Sequence, residues 1–511
     1  MRSYKAVSLS IAFLIISAIL LAPFIFSHTH ADHEIWLFQA IREMQDVLKM
    51  TPTLNNEPIK SINPLTIKII SLFPSTDIIY TRLLPLCLGC ISAAAVSFFC
   101  LILLNLRTAM LSALFCITSF GFISTYTSIN TAALPCTLAV LAYMIFSLVY
   151  LKKASSALYI ISYLLIGLAT ITGGWIMPAF FILSIVLLIL LDLSPGRFSE
   201  IKPVWGIGII SLITALFYIV YWYIAGWTIA SSSLSPGQNL NFTSSMYSFA
   251  TYTFPWFILA IPAWIYTERP EDKETWRMIL PFKIGFCTSI CVLWFSGHCP
   301  AAYALLGVPF VSVLAGIWVA GGMQLPQKVL FIRPVAVILT GALIFATEFF
   351  ITGVNAYKDM NIHIYYIIAG LLSATLIFLI LLRKQRLSGI IALFIITAMG
   401  ISWVNSVMNL PEIDPDRLSY VQGMSTYSPL LVYEDDLVMR GYLGYTGNHP
   451  IVTGREVLPI GQNAYLAVNT EDLDDLVTEL NEDMPVAVES SYHAESTFAL
   501  IRIPPLQHSM K

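Results

Sequence analysis

Apolar runs close to 20 residues long recur along the chain, separated by short polar connections. Runs of that length match the hydrocarbon thickness of a bilayer and predict about thirteen membrane crossings. They fall at roughly 7–26, 83–104, 108–124, 132–151, 156–172, 175–193, 205–225, 250–266, 279–296, 301–320, 335–353, 364–382 and 389–406. The first run follows the short basic segment Met1–Lys5 and is long for a signal-peptide core. With many further runs behind it, it reads as an uncleaved first helix. The two runs flanking Gly173-Gly174 fit one broken unit as well as two separate crossings.

Two regions depart from this pattern. In the loop 27–82, residues 35–50 place Leu37, Ile41, Met44 and Leu48 on one helical face, with Gln39, Arg42, Glu43, Asp46 and Lys49 turned away. That periodicity predicts an amphipathic helix in the headgroup plane. A turn-rich link follows from Thr51 to Pro58. Beyond 406 the long runs stop. Short alternating stretches at 429–433, 450–453, 464–468, 485–489 and 498–503 predict strands. Residues 471–480 predict a helix, with Asn469 or Thr470 as N-cap and acids in its first turn. The fold class expected is an all-α polytopic membrane protein with a small C-terminal α/β domain. Its domains are a transmembrane region at 1–406, carrying the loop 27–82, and a soluble acidic region at 407–511. A second loop, about 230–251, is Ser-rich and contains Pro236-Gly237 and the glycosylation sequon Asn241-Phe-Thr243.

Composition agrees with the crossings: 57% of the 511 residues are hydrophobic and 11% are charged. Ordinary soluble domains carry roughly 25% charged residues. The mean hydropathy is +0.77. The net charge of −3 conceals a division. From Glu412 onward there are 16 acids and 5 bases, a net of −11, whereas the first 411 residues carry 22 bases and 14 acids, a net of +8. Within that basic part, Arg107, Lys152, Lys153, Lys202, Arg277 and Arg383 all fall in or beside connections on one side of the predicted membrane. The opposite short connections hold only Lys358. The bias puts the N-terminus in the cytoplasm, and both the loop 27–82 and the C-terminal region outside it. All eight cysteines lie between Cys87 and Cys299, so the C-terminal region must fold without disulfides. Cys87-Leu-Gly-Cys90 has redox spacing but sits in an apolar helix, where small residues generally serve packing.

The polar stretch Ser27-His-Thr-His-Ala-Asp-His-Glu-Ile-Trp36 is the densest candidate chemistry. It brings His28, His30, His33, Asp32 and Glu34 to the point where the first crossing leaves the bilayer. A carboxylate there can take a proton from an acceptor hydroxyl. An Asp-x-Glu pair can also hold a hard divalent cation, and His28, His30 and His33 are candidate ligands for a softer one. The competing reading makes Asp32 and Glu34 simple caps for the helix that follows. Arg42 and Arg82 are placed to meet a lipid phosphate or to anchor at the interface. His298 lies in an outer turn where it can touch substrate or simply mark the water boundary. Trp36, Trp175, Trp222 and Trp256 read as interfacial belt residues.

Several short segments carry a resemblance to a known family. Glu34 is followed by Arg42-Glu43-Met44, then by Pro52-Thr-Leu-Asn-Asn56, Pro64-Leu65 and Arg82-Leu-Leu-Pro85. Further on come Gly167-Leu-Ala-Thr-Ile-Thr-Gly173 and Phe295-Ser-Gly-His-Cys-Pro300, with Tyr303 and Pro309. In this order they resemble the GT-C membrane glycosyltransferases, in the branch of the aminoarabinose–lipid A transferases and protein O-mannosyltransferases. The resemblance covers most of the membrane part as scattered matches. His33 occupies the family's first acidic position, with Asp32 displaced by one. Ile62 and Asn63 stand in a Lys-Pro-Pro-Leu segment, Gly173 replaces the lysine of Gly-Leu-Ala-x-x-Thr-Lys, and His298 lies near the lysine of Ser-Lys-x-Pro-x-Tyr.

The resemblance implies a multi-pass protein of a bacterial inner membrane, with its active face and C-terminal domain periplasmic. It implies transfer of a sugar from a polyprenyl-phosphate carrier to lipid A, a glycan or a protein. Asp32 and Glu34 would then be catalytic, and Arg42, Arg82, His298 and Tyr303 would bind substrate. Partners would be the lipid-linked donor, the acceptor and membrane lipids, not nucleic acid; no organic cofactor is called for. A phosphate leaving group needs cations to stabilise its charge, and three of the family's lysine positions are uncharged or histidine here. The alternative is therefore an inactive relative that binds lipid-linked glycan or acts as a scaffold. A transporter would place ionisable groups within the helices, and the sequence shows almost none there.

Overall fold

The computed structural model describes residues 2–25, 37–38, 40–42, 44, 53–54, 57–58, 64–72, 78–152, 155, 157–192, 201–225, 242–254, 256–266, 273–296, 301–320, 430–433, 451–452, 464–469, 487–490 and 498–503. The three expected crossings after 320 and the helix at 471–480 lie outside these residues. The chain divides into two compact units. One comprises Met1–Phe26 and Arg82–Met408, the other Ser27–Thr81 and Asn409–Lys511.

The first unit is helical and follows the apolar runs. Its elements are α1 (Arg2–Ile25), α5 (Leu83–Leu103), α6 (Leu106–Ile117), α7 (Phe120–Tyr126), α8 (Ala133–Lys152) and α9 (Ala157–Gly173). They continue with α10 (Ile176–Leu191), α11 (Pro203–Ala225), α12 (Phe242–Thr253), α13 (Phe257–Tyr266), α14 (Lys273–Ser296) and α15 (Val308–Ala320), a 3-10 turn at Ala301–Gly307 preceding α15. Among the described residues, five helices are long and apolar enough to cross a membrane, or six if the bent pair α6–α7 is one span. This is the build of a polytopic membrane protein. Exposed apolar side chains such as Ile19, Leu190 and Val204 are what a lipid-facing surface presents.

Three breaks depart from the uniform runs. The run at 108–124 bends by 60° between α6 and α7. Thr118 and Ser119 explain it: their hydroxyls donate to the carbonyls of Leu114 and Phe115, both at 2.8 Å. The Phe120 amide instead donates to the Phe254 carbonyl at 3.0 Å, and Trp256 Nε1 donates to Thr118 Oγ1 at 3.1 Å. Side chains and a neighbouring segment thus satisfy a helix end within the bundle, as a broken span requires. The second divides the run expected at 250–266: α12 reaches back into the stretch expected as a Ser-rich loop and ends at Thr253, and α13 begins at Phe257. The buried Phe249 and Thr253 of α12 stand one turn apart, enough to dock a helix. The third is the 3-10 turn at the start of the 301–320 run, ending where Pro309 favours a first helical turn.

Several polar side chains in the bundle are paired across helices. Ser162 Oγ donates to the Ala142 carbonyl at 2.7 Å, and Ser184 and Thr288 share a hydrogen bond of 2.7 Å. Tyr143 donates to the carbonyl of Pro281 at 3.0 Å. Its ring meets Phe180 and Phe310 edge-on, with centroids 5.8 and 5.7 Å away. One aromatic cluster thereby locks α8, α10, α14 and α15. The Cys87-Leu-Gly-Cys90 turn lies inside α5, and Gly89 serves packing. A Cβ there would come within 2.8 Å of the Tyr126 side chain.

Where α8 and α10 finish, Arg277 grips Asp192 with a forked pair. Nε bonds Oδ1, Nη2 bonds Oδ2 at 2.6 Å, and Tyr150 donates to the same Oδ2 at 3.0 Å. The Asp192 side chain is 1% exposed. A carboxylate at a helix C-terminus opposes the dipole, so a bidentate guanidinium is what makes this position tenable. Lys283 is one ionisable side chain within the apolar runs. It lies buried within α14, its ammonium 4.8 Å from the ring centre of Trp276. A lysine stem reaching back toward its helix N-terminus in this way carries its charge out of the apolar layer.

In the second unit, five strands form a mixed sheet. They are β3 (Leu430–Tyr433), β4 (Ile451–Val452), β5 (Ala464–Asn469), β6 (Ala487–Ser490) and β7 (Phe498–Ile503), in the order β4-β3-β5-β7-β6. β3 runs parallel to β4 and β5, while β7 is antiparallel to β5 and β6. The remaining elements of this unit come from the first loop.

Candidate functional site

The acidic stretch itself, with Asp32, Glu34, His28, His30 and His33, lies outside the described residues, as do Trp36 and His298. The segments that flank it are described. On its N-terminal side, α1 ends at Ile25. Arg82 Nη1 donates to the Ile25 carbonyl at 2.9 Å, and Arg82 is only 2% exposed. A cation on a helix C-terminus satisfies a carbonyl that the helix cannot and complements the dipole. Arg82 is thus built into the junction of α1 and α5.

On the other side, residues 37–38 and 40–42 form a helix, α2, closed by the Met44 amide donating to the Ala40 carbonyl at 3.1 Å. Leu37, Ile41 and Met44 are buried and Arg42 is exposed, the two faces their spacing predicts. Phe38 and Ala40 widen the buried face. Its apolar stripe is therefore covered by protein, where the sequence suggested lipid. The Arg42 guanidinium carbon sits 5.9 Å from the centre of the Phe38 ring, a cation–π distance that leaves the charge facing out.

After α2 the chain makes a short hairpin. Thr53–Leu54 (β1) pairs antiparallel with Glu57–Pro58 (β2), Leu54 opposite Glu57. The hairpin falls on the Pro52–Asn56 segment of the resemblance. α3 (Pro64–Ser71) begins at Pro64, where a proline fits the first turn; the short α4 (Ile78–Thr81) follows.

Lys68, on α3, was not singled out in the sequence. It is 7% exposed, and its ammonium donates to the Met44 carbonyl at 3.0 Å. A single lysine in Pro-Leu-Thr-Ile-Lys-Ile-Ile-Ser is the signal that could have drawn attention to it.

Two other segments of the resemblance meet in the helical unit. Tyr303 donates to the Gly173 carbonyl at 3.2 Å. Gly173 closes the Gly-Leu-Ala-x-x-Thr segment, and the chain turns after it through Gly174 at φ +75°, a conformation glycine adopts freely. Positions 130 residues apart are thus joined directly. Among the described residues no group of three or more His, Cys, Asp or Glu side chains is placed to hold a metal ion.

No protein-family profile matches the chain, and no curated protein sequence does. Solved structures do match. ArnT from Cupriavidus metallidurans in the apo state superposes with a TM-score of 0.72 at 14% identity, covering 98% of this chain and 98% of that one. The same protein bound to undecaprenyl phosphate gives a TM-score of 0.68 at 14% identity, covering 96% and 97%. The archaeal oligosaccharyltransferase AglB from Archaeoglobus fulgidus, in complex with an inhibitory peptide and a dolichol-phosphate, gives 0.51 at 11% identity. It covers 91% of this chain and 70% of that one. Over nearly its whole length, the chain has the fold of the GT-C membrane glycosyltransferases.

Proposed function

We propose that the protein is an integral-membrane glycosyltransferase that moves a sugar from a polyprenyl-phosphate carrier to an extracytoplasmic acceptor: lipid A, a glycan or a protein. The observation that carries this reading is the near end-to-end likeness to an enzyme crystallised with undecaprenyl phosphate. In this reading Asp32 or Glu34 deprotonates or orients the acceptor hydroxyl. The Arg42 charge, exposed on α2, meets the carrier phosphate, with Arg82, His298 and Tyr303 completing the substrate contacts. Arg82 is anchored on the Ile25 carbonyl at the end of α1 and would serve this role from a fixed position. Asp32, Glu34 and the three nearby histidines also have the chemistry to bind a divalent metal ion.

Mass spectrometry of envelope glycolipids, polysaccharide and proteins from deletion and wild-type cells tests the activity. One sugar substituent should disappear from one of these fractions in the deletion strain and return on complementation. If all three fractions are identical in the two strains, while the purified protein still binds undecaprenyl phosphate, the protein is the inactive lipid-glycan binder instead.

The active face is assigned to the periplasm from the distribution of basic residues. A reporter active only outside the cytoplasm, fused after Gln422, should give signal, and the same reporter fused after Lys153 should be silent. The reverse pattern overturns the orientation.

A further inference from the structure

Burying a lysine costs free energy unless its ammonium is fully hydrogen-bonded, so the placement of Lys68 needs a reason. Its Nζ donates to the Met44 carbonyl at 3.0 Å. One helical turn on, the single-proton hydroxyl of Ser71 lies 3.2 Å from that same oxygen and 2.8 Å from the Lys68 carbonyl, between which its proton is shared. Two buried side chains of α3 thus face one carbonyl, with the Lys68 ammonium as its charged donor. That oxygen lies at the C-terminal end of α2, where carbonyls lack helical partners and carry partial negative charge, so a cation is favoured there. The same turn carries Arg42, two residues before Met44. The Phe38 ring beneath the Arg42 guanidinium is itself 2% exposed and thus held. Arg42 projects from a turn fixed at its end by α3 and backed by an immobile ring.

We propose that Lys68 is a positioning residue: by holding the Met44 carbonyl it fixes the last turn of α2 and so aims the Arg42 guanidinium at an anionic phosphate. This rests on the reading above that Arg42 meets the carrier phosphate. Here the ammonium acts on the backbone of α2 and leaves the exposed charge to Arg42.

Binding of undecaprenyl phosphate to the purified full-length chain in nanodiscs, followed by native mass spectrometry, tests it. Arg42→Ala should weaken binding about tenfold, the loss of one charged contact. Lys68→Met should weaken it by a similar factor, and Lys68→Arg, which keeps a cationic donor, should restore most of it. Because Lys68 acts through Arg42, the Arg42→Ala, Lys68→Met double variant should bind no worse than Arg42→Ala alone. Wild-type binding by Lys68→Met, or a double variant weakened by the product of the two factors, overturns the inference while leaving the role of Arg42 intact. Wild-type binding by Arg42→Ala overturns that role and this inference with it. If Lys68→Met does not fold, Ser71→Ala replaces it. A smaller weakening that vanishes in the Arg42→Ala background supports the inference, and one that persists there, or no weakening at all, rejects it.

Discussion

Replacing Asp32 with asparagine and Glu34 with glutamine together should lower sugar transfer by roughly 10²–10⁴, the usual cost of removing a general base. Both substitutions keep size and hydrogen-bonding capacity, so the protein should insert and purify at wild-type levels. The competing role, capping of α2, predicts something different. Losing a cap costs about 1 kcal/mol of stability and leaves turnover nearly unchanged. Measuring transfer in membranes alongside the melting temperature of the purified variant separates the two. Turnover near wild type with a lowered melting temperature would remove both acids from the chemistry. The single variants then assign the roles: whichever acid carries the base function should account for most of the loss by itself.

The second large effect is expected far from that stretch. Arg277→Met should destabilise the helical unit by about 3 kcal/mol, because it takes the forked guanidinium away from a buried carboxylate. Asp192 would retain the Tyr150 hydroxyl, at 3.0 Å, as a recorded donor. That neutral donor cannot replace a forked guanidinium. Thermal melting in detergent reads the loss directly. Adding Asp192→Leu to Arg277→Met should recover much of the stability, since an apolar pair in place of an ion pair is often neutral or better. A single variant that melts like wild type would mean that water reaches Asp192 and solvates it. The test also bears on architecture, because the cluster ties together α8, the end of α10 and α14.

Local regularities were legible in the sequence wherever one side of an element differed chemically from the other. The spacing of Leu37, Ile41 and Met44 against Arg42 predicted the two faces of α2, and the structure has them. Strand alternation located β7 at Phe498–Ile503, the residues where it is found. The apolar runs located most helices of the first unit to within a few residues, from α1 through α11 to α14. Connection types were legible too. The turn-rich link from Thr51 to Pro58 and the Gly173-Gly174 pair between two helices both carry turn chemistry that is local.

What the sequence could not decide was which positions meet. In a bilayer, lipid and protein interior are both apolar, so a helix that is hydrophobic all round has no face to read. The juxtaposition of Tyr143 with Phe180 and Phe310, or of Tyr303 with Gly173, therefore appears only in the folded chain. Hydropathy averaged over a window also runs straight through a break. Thr118 and Ser119 end α6 because Phe254 and Trp256, between α12 and α13, supply partners, a condition set by the tertiary structure. The buried cations follow the same rule. Lys68, Arg82 and Lys283 look alike as isolated bases in apolar surroundings, and periodicity says nothing of where their long stems end. Only packing sends the first to the Met44 carbonyl, the second to that of Ile25 and the third over Trp276. A cation's role depends on the group it reaches, and for a flexible side chain that group is chosen by the fold.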